Sequence, residues 1–184
     1  SGVFVNDKYI YVCDSNNNRI VLFDRDGNYV KIVPQPVSDL FDEGAIYKPV
    51  AVAVDSYGRL FVVSSTTYQG IIVMSEDGGF HGFIGAQKVQ ISAMEIIWRE
   101  LQTEEQRSYS SQYVSTEFNN ITIDEDNFLY VTTSSISESA QQSAIRSKNK
   151  DNAPVKKLNA SGADVMRRNG FFAPGGEVNV SNSV

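Results

Sequence analysis

The chain has 184 residues, of which 41% are hydrophobic and 21% are charged, so its composition is that of a globular protein and excludes a wholly disordered chain. Its formal net charge of −6 argues against a nucleic-acid partner, because phosphate neutralisation requires clustered Lys and Arg side chains. The apolar runs are only a few residues long, so no membrane insertion is expected within this chain.

Three stretches of the chain repeat one pattern of short strands and turns. A short apolar or alternating strand ends in Asp and is followed by a turn of the type Asp-x-x-Gly or Asp-x-x-Asn, in which Asp bonds nearby backbone and Gly or Asn accepts a positive φ. The next strand carries an apolar–aromatic pair, and a third strand, a second turn and a short edge strand follow. The three pairs are Ile10-Tyr11, Leu60-Phe61 and Leu129-Tyr130.

Four short antiparallel strands per repeat are typical of a β-propeller blade, so the sequence predicts an all-β fold of about three such blades. The predicted boundaries are residues 2–33 for blade one, 49–85 for blade two, 119–168 for blade three and 177–180 for the start of a fourth. The edge strand of blade three is expected at residues 164–168.

The spacing between repeats leaves surplus chain in two places. Residues 90–113 carry apolar side chains at helical spacing, including Trp98, which predicts a short helical insertion. That apolar stripe suits packing on the chain's own sheets better than docking of a partner helix. Residues 134–152 are polar and rich in Ser, Gln and Lys, which predicts a loop within blade three.

Residues 14–24 read Asp-Ser-Asn-Asn-Asn-Arg-Ile-Val-Leu-Phe-Asp and resemble the signature of NHL repeats, Asp-Ser-x-Asn-x-Arg-Ile-x-x-Phe. Pro49, before an apolar strand and a glycine turn, is similar to the opening of that repeat. The resemblance is partial in the third repeat, where the Asn-x-Arg-Ile core is absent. NHL propellers close with about six blades, so the resemblance implies that this chain is roughly one half of a propeller. The resemblance also implies a bacterial protein.

Propellers recognise ligands with the loops at one mouth of their central channel. The corresponding residues mix aromatic rings with hydrogen-bonding groups and predict a module that binds a carbohydrate, peptide or protein, although they also suit ordinary loop positions. These candidate ligand-binding residues are Tyr47, Lys48, Tyr68, Glu117 and Asn119. The polar cluster at residues 14–19 is better explained by turn formation, with Arg19 tying one blade to the next.

The alternative is a metal-dependent hydrolase of the lactonase type, which the six-bladed relatives of NHL proteins include. The resemblance implies that such an enzyme would hold one divalent cation such as calcium, with Glu117 and Asn119 in position to contribute. The residues themselves predict no catalytic group, no metal site and no cofactor. His81 is the single histidine, and the acidic runs at 24–26 and 124–126 lack the spacing of a calcium loop.

The single cysteine, Cys13, excludes an intramolecular disulfide and is expected to be a small buried strand residue rather than a nucleophile. The lack of disulfides fits a reducing compartment and equally a bacterial surface protein, and the resemblance favours a cell-surface or extracytoplasmic location. Because half a ring exposes two edges, we expect two copies to meet as a homodimer that closes a six-bladed ring.

Overall fold

The structure, a computed structural model, describes residues 2–39, 41, 46–67, 70–85, 118–133 and 153–167. Within these ranges the chain is all-β, apart from one short 3₁₀ helix at Ser15–Asn17, and its strands form three antiparallel sheets. Sheet 1 contains β1 (Val3–Val5), β2 (Tyr9–Asp14), β3 (Arg19–Asp24) and β4 (Tyr29–Val33). Sheet 2 contains β5 (Pro49–Val54), β6 (Leu60–Ser64), β7 (Ile71–Met74) and β8 (Phe80–Ile84). Sheet 3 contains β9 (Phe118–Ile123), β10 (Leu129–Thr133) and β11 (Val155–Leu158).

The all-β prediction is therefore confirmed for the described residues, and each apolar–aromatic pair lies on the second strand of its sheet, β2, β6 or β10. Each strand pairs with its neighbour in the chain, as in a meander. The predicted helical insertion at 90–113, the loop at 134–152 and the strand at 177–180 lie outside the described residues.

Sheet 3 differs from the prediction at its edge. Where a fourth strand is expected from residue 164, the described residues form a single bridge, between Leu158 and Asp164. The Asp164 carboxylate accepts hydrogen bonds from the backbone N–H groups of Lys157 and Met166, at 3.3 and 3.1 Å. Aspartate side chains that bond nearby backbone compete in this way with the ladder of a strand.

One turn geometry recurs between the strands of all three sheets. An Asp or Asn at the first position accepts backbone N–H bonds from the second and fourth residues after it, and the third residue has a positive φ. The first residues of these turns are Asp24, Asp55, Asp124 and Asn159. In the fifth case, Ser75 takes the first position and Asp77 supplies the acceptor. The Asp-x-x-Gly and Asp-x-x-Asn turns of the sequence are thus confirmed.

Sheet 2 lies between the other two sheets and buries both of its faces. On β6, Leu60 and Val62 belong to the hydrophobic cluster shared with sheet 1, while Phe61 and Val63 belong to the cluster shared with sheet 3. The same alternation holds along β5 and β7, because successive side chains of a strand point to opposite faces. This two-sided burial explains why the strands of sheet 2 read as continuous apolar runs.

The first strands of neighbouring sheets lie against each other, since β5 contacts β1 and β2 on one side and β9 on the other. At one point the approach requires glycine, because a Cβ atom on Gly2 would lie 2.4 Å from the carbonyl oxygen of Val50. Between sheets 1 and 2, Cys13 is fully buried, as predicted, and desolvation raises the pKa of its thiol to about 11. No helix among the described residues is long and apolar enough to cross a membrane.

We expect Asp55→Ala to lower the free energy of unfolding by about 2–3 kcal/mol, because it leaves two part-buried backbone N–H groups without their acceptor and removes the ion-pair partner of Arg59. The carboxylate of Asp55 is 0% exposed and lies 2.7 Å from Arg59 Nε. Urea denaturation measures the change. Asp26→Ala, at an exposed turn position, is the control and should stay within about 0.5 kcal/mol of the parent. Equal losses from the two variants would contradict this account.

Candidate ligand-binding side

The starts of β5 and β9, where Lys48 and Asn119 lie, are on one side of the three sheets. Ser56 and Asn127 follow β5 and β9, and they bond each other twice, through Ser56 N to Asn127 Oδ1 at 2.9 Å and Asn127 Nδ2 to Ser56 Oγ at 3.0 Å. Because β5 and β9 end together, they also begin on the same side. Ser15, directly after β2, donates its hydroxyl to the carbonyl oxygen of Pro49 at 2.5 Å, which brings sheet 1 to that side. We call this the loop side.

Three of the five candidate ligand-binding residues are described, and they have different environments. Lys48 and Asn119 are exposed and lie at the starts of β5 and β9, on the loop side. Tyr47 is instead buried in the core between sheets 1 and 2, where its hydroxyl donates to the Sδ atom of Met74 at 3.8 Å and burial raises its pKa. Tyr68 and Glu117 lie outside the described residues.

A network of hydroxyl groups fixes the backbone around Lys48. The Lys48 N–H donates to Ser64 Oγ at 3.1 Å, and its carbonyl accepts from the Ser65 N–H at 3.0 Å. Ser64 Oγ in turn lies 3.0 Å from Thr66 Oγ1, which donates to the carbonyl of Ile46. The Lys48 ammonium has no hydrogen-bond or ion-pair partner within the described ranges, so a rigid backbone presents an unpaired positive charge.

Asn119 contributes an amide in a comparable position on sheet 3. Its Oδ1 atom accepts a hydrogen bond from Thr132 Oγ1 at 2.5 Å, which orients the amide and leaves the Nδ2 donors directed away from that bond. The sequence predicted Lys48 and Asn119 as candidate residues but assigned no role to Ser64, Thr66 or Thr132. Runs of Ser and Thr that begin at the ends of β6 and β10 were the available signal for these supporting hydroxyls.

Arg19 does not have the role that the sequence suggested. Its guanidinium Nε donates to Asp14 Oδ2 at 2.8 Å, within its own sheet, and among the described residues it makes no bond to a neighbouring sheet. Asp14 also accepts two bonds from Asn17 Nδ2, at 2.9 Å each. These hydrogen bonds, with that from Arg19 the larger, hold the pKa of Asp14 below its usual value. The hydroxyl of Ser15 supplies one of the hydrogen bonds between sheet 1 and sheet 2.

Among the described residues, no three His, Cys, Asp or Glu side chains come close enough to share a metal ion. His81 is exposed on β8. Asn119 is bonded to Thr132 and Glu117 is not described, so the lactonase interpretation stays a prediction.

Shifted pKa values often mark active sites, and one cluster of this kind lies between sheets 1 and 2. The Tyr11 hydroxyl donates to Glu76 Oε1 at 2.7 Å, and the Lys31 ammonium lies 2.7 Å from Glu76 Oε2. Burial and the bond to Glu76 raise the pKa of Tyr11. Burial also raises the pKa of Glu76, but the hydrogen bonds from Lys31 and Tyr11 outweigh it, so the net shift is downward. Both Glu76 oxygens are satisfied, which identifies the cluster as a polar contact between two sheets.

We expect Glu76→Gln to make the free energy of unfolding depend less on pH in the acidic range. A carboxyl whose pKa falls on folding stabilises the protein fully above its ordinary value of 4.5 and loses that contribution as pH drops through the lower folded-state value. The variant should therefore lose about 1 kcal/mol at neutral pH, and the difference from the parent should shrink as the pH falls below 4.5. Urea denaturation across this range is the measurement, with the exposed Glu125→Gln as control. Parallel curves for parent and Glu76→Gln would contradict the assignment.

Comparison of the whole chain with models of known protein families finds no match, and neither does comparison with curated proteins.

Proposed function

We propose that the chain forms part of an NHL-like β-propeller and that its loop side binds a ligand. Two observations support the propeller. The three sheets follow one another in chain order, each packed face to face on the next, and the first strand of sheet 2 lies between the first strands of its neighbours. Radial repetition of four-stranded antiparallel sheets around first strands is the architecture of propellers.

The observation that carries the binding proposal is the common origin of β5 and β9 on the loop side. It brings the exposed Lys48 and Asn119, from successive sheets, to the same side of the molecule. The hydroxyl of Ser64 accepts a bond from the backbone N–H of Lys48, and the hydroxyl of Thr132 donates to the side-chain amide of Asn119. Preorganised polar groups on rigid strands lose little freedom when they bind, which favours recognition.

The chemistry of the loop side indicates the class of ligand. Hydroxyl and amide groups suit partners rich in hydrogen-bonding groups, and the ammonium of Lys48, which has no partner among the described residues, suits an anionic group. A carbohydrate that carries a carboxylate, or a peptide with an acidic side chain, meets both requirements. The Tyr47 ring is buried, so stacking on it makes no contribution to the proposal.

A glycan array that includes uronic acids, together with a random peptide display library, tests this proposal. We expect Lys48→Ala to weaken binding of the selected ligand by about tenfold, the loss typical of one charged hydrogen bond, and Asn119→Ala to weaken it less. Glu125→Ala, in the turn that follows β9 at the opposite end of that strand, is the matched control and should leave the affinity unchanged. Absence of any binder in both screens, or an equal loss in the control, would contradict the proposal.

A further inference from the structure

Two Asp-Gly pairs lie among the described residues, and both occupy the same place in the recurring turn. Asp26-Gly27 belongs to the turn between β3 and β4, and Asp77-Gly78 belongs to the turn between β7 and β8. In each turn the glycine N–H donates to the carbonyl oxygen of the first turn residue, at 3.1 Å in one and 3.0 Å in the other. The two glycines have φ angles of 87° and 90°. The backbones of the two turns are therefore alike, and their side-chain environments can be compared directly.

The carboxylate of Asp77 is held within its turn. Its Oδ1 atom accepts a hydrogen bond from the Ser75 hydroxyl and another, at 3.0 Å, from the Gly79 N–H. These bonds, with that from Ser75 the larger, hold the pKa of Asp77 below its usual value. A Cβ atom on Gly78 would lie 2.7 Å from Pro34 Cγ, so this turn also packs against the chain that follows β4.

The carboxylate of Asp26 has no such restraint. Asp26 is exposed, and its side chain forms no hydrogen bond or ion pair with any part of the chain that the structure describes. A Cβ atom on Gly27 would meet none of the described atoms within 4 Å, so the turn is open on that side. Exposed turns with few packing contacts open locally at a small cost in free energy.

We propose that Asp26 is a site of spontaneous aspartate isomerisation and that the fold protects Asp77 from the same reaction. The residue after the aspartate must bring its backbone nitrogen to the side-chain carboxyl, and glycine does so most easily because it has no side chain and rotates freely. This site is independent of the ligand-binding residues on the loop side.

The reaction needs only the chain and water. The Gly27 nitrogen attacks the Cγ atom of the protonated Asp26 carboxyl, a C–N bond forms, and one carboxyl oxygen leaves as water with the acid proton and the amide proton. Water then opens the succinimide ring at one of its two carbonyl carbons. Opening at Cγ restores aspartate, whereas opening at the main-chain carbonyl breaks the original peptide bond and leaves Gly27 attached to Cγ. One water is released and one is consumed, so the product, isoaspartate, has the mass of the parent.

Ring closure at Asp77 is opposed in two ways. The carboxylate must first release its bonds to Ser75 and Gly79, and bonds that stabilise the charged form reduce the protonated fraction that reacts. The backbone of Gly78 must also rotate while it is packed against Pro34. We therefore expect the ring to form more slowly at Asp77 than at Asp26.

Isomerisation at Asp26 should loosen the edge of sheet 1, because isoaspartate adds one atom to the main chain within the turn. Asp24 and Asn28 close that turn, with Asn28 N donating to Asp24 Oδ1 at 2.8 Å and Asp24 N donating to the Asn28 carbonyl at 2.9 Å. The turn leads into β4, where the Lys31 ammonium lies 2.7 Å from Glu76 of sheet 2. Molecules that carry the isomer should therefore have a lower free energy of unfolding.

Site-resolved mass spectrometry of the 184-residue chain, incubated for weeks at physiological temperature and neutral pH, tests the proposal. Cleavage after lysine places Asp26 in residues 9–31, apart from Asp77 and from the Asn169-Gly170 pair outside the described residues. Electron-transfer fragmentation then distinguishes isoaspartate from aspartate at each position. We expect isoaspartate to accumulate at least about tenfold faster at Asp26 than at Asp77, the factor that one charged hydrogen bond supplies.

Two variants and an unfolded control separate the effect of the fold from that of the sequence. In guanidinium chloride the two pairs should react at similar rates, because an unfolded chain holds neither carboxylate. Ser75→Ala removes one bond to Asp77 and should raise the rate there without changing the rate at Asp26. Asp26→Glu keeps the charge but would need a six-membered ring, so it should abolish isomerisation at that position and the accompanying loss of stability in urea denaturation.

Three outcomes overturn the proposal: no isoaspartate at position 26 of the folded chain, equal rates at Asp26 and Asp77 in the folded chain, or the same ratio of rates in the folded and unfolded chains. An unchanged rate at Asp77 in Ser75→Ala contradicts the protective role of that hydroxyl. Circular dichroism verifies that the variants fold, and if Ser75→Ala does not, the comparison of folded and unfolded parent decides.

Discussion

Burial of sheet 2 on both faces is the constraint on which the rest of this structure depends. On β5, β6 and β7 of that sheet the side chains alternate between two clusters, and each cluster is completed by a neighbouring sheet. Sheet 2 has no stable solvent-facing side, so the three sheets must stack before any of them has a complete core. The polar contacts between sheets, such as Ser56 with Asn127 and Tyr11 with Glu76, then set the relative position of surfaces already held by apolar packing.

The recurring Asp or Asn turn complements that packing because it is satisfied locally. Its side chain and backbone bonds close within five residues, so the turn keeps its geometry whatever lies beyond it. Bonds between residues far apart in the chain occur at both ends of the sheets, joining Ser15 to Pro49 on the loop side and Ser56 to Asn127 at the opposite end. The recurring turns lie at the end of the sheets opposite the loop side. The exposed Lys48 and Asn119, which form the proposed recognition surface, lie on the loop side.

The sequence correctly predicted the features that depend on residues close together in the chain. Strand positions followed from alternation, and turns followed from Asp, Asn and Gly at fixed spacing, as at Asp55 and Gly58. The prediction that Arg19 ties one blade to the next was wrong, because a guanidinium group can pair with many acceptors. Strand register places Asp14 opposite Arg19, and the sequence pattern did not specify that register. The burial of Tyr47 was not predicted either, because an aromatic residue beside Lys48 is compatible with an exposed loop and with a buried core. Its contact with Met74 shows that it lies in the core. At the edge of sheet 3, the strand pattern gave no weight to the side chain of Asp164, which takes the backbone bonds that a ladder would use.

Cys13 gives the molecule an internal reporter. It is the single cysteine of the chain, it is fully buried between sheets 1 and 2, and its raised pKa keeps the thiol protonated at neutral pH. A thiol reagent can therefore modify it only after the two sheets separate, which makes the modification rate a measure of how often that contact opens. The native chain thus carries a probe for the movement of sheet 1 against sheet 2, with no engineered label and no competing thiol.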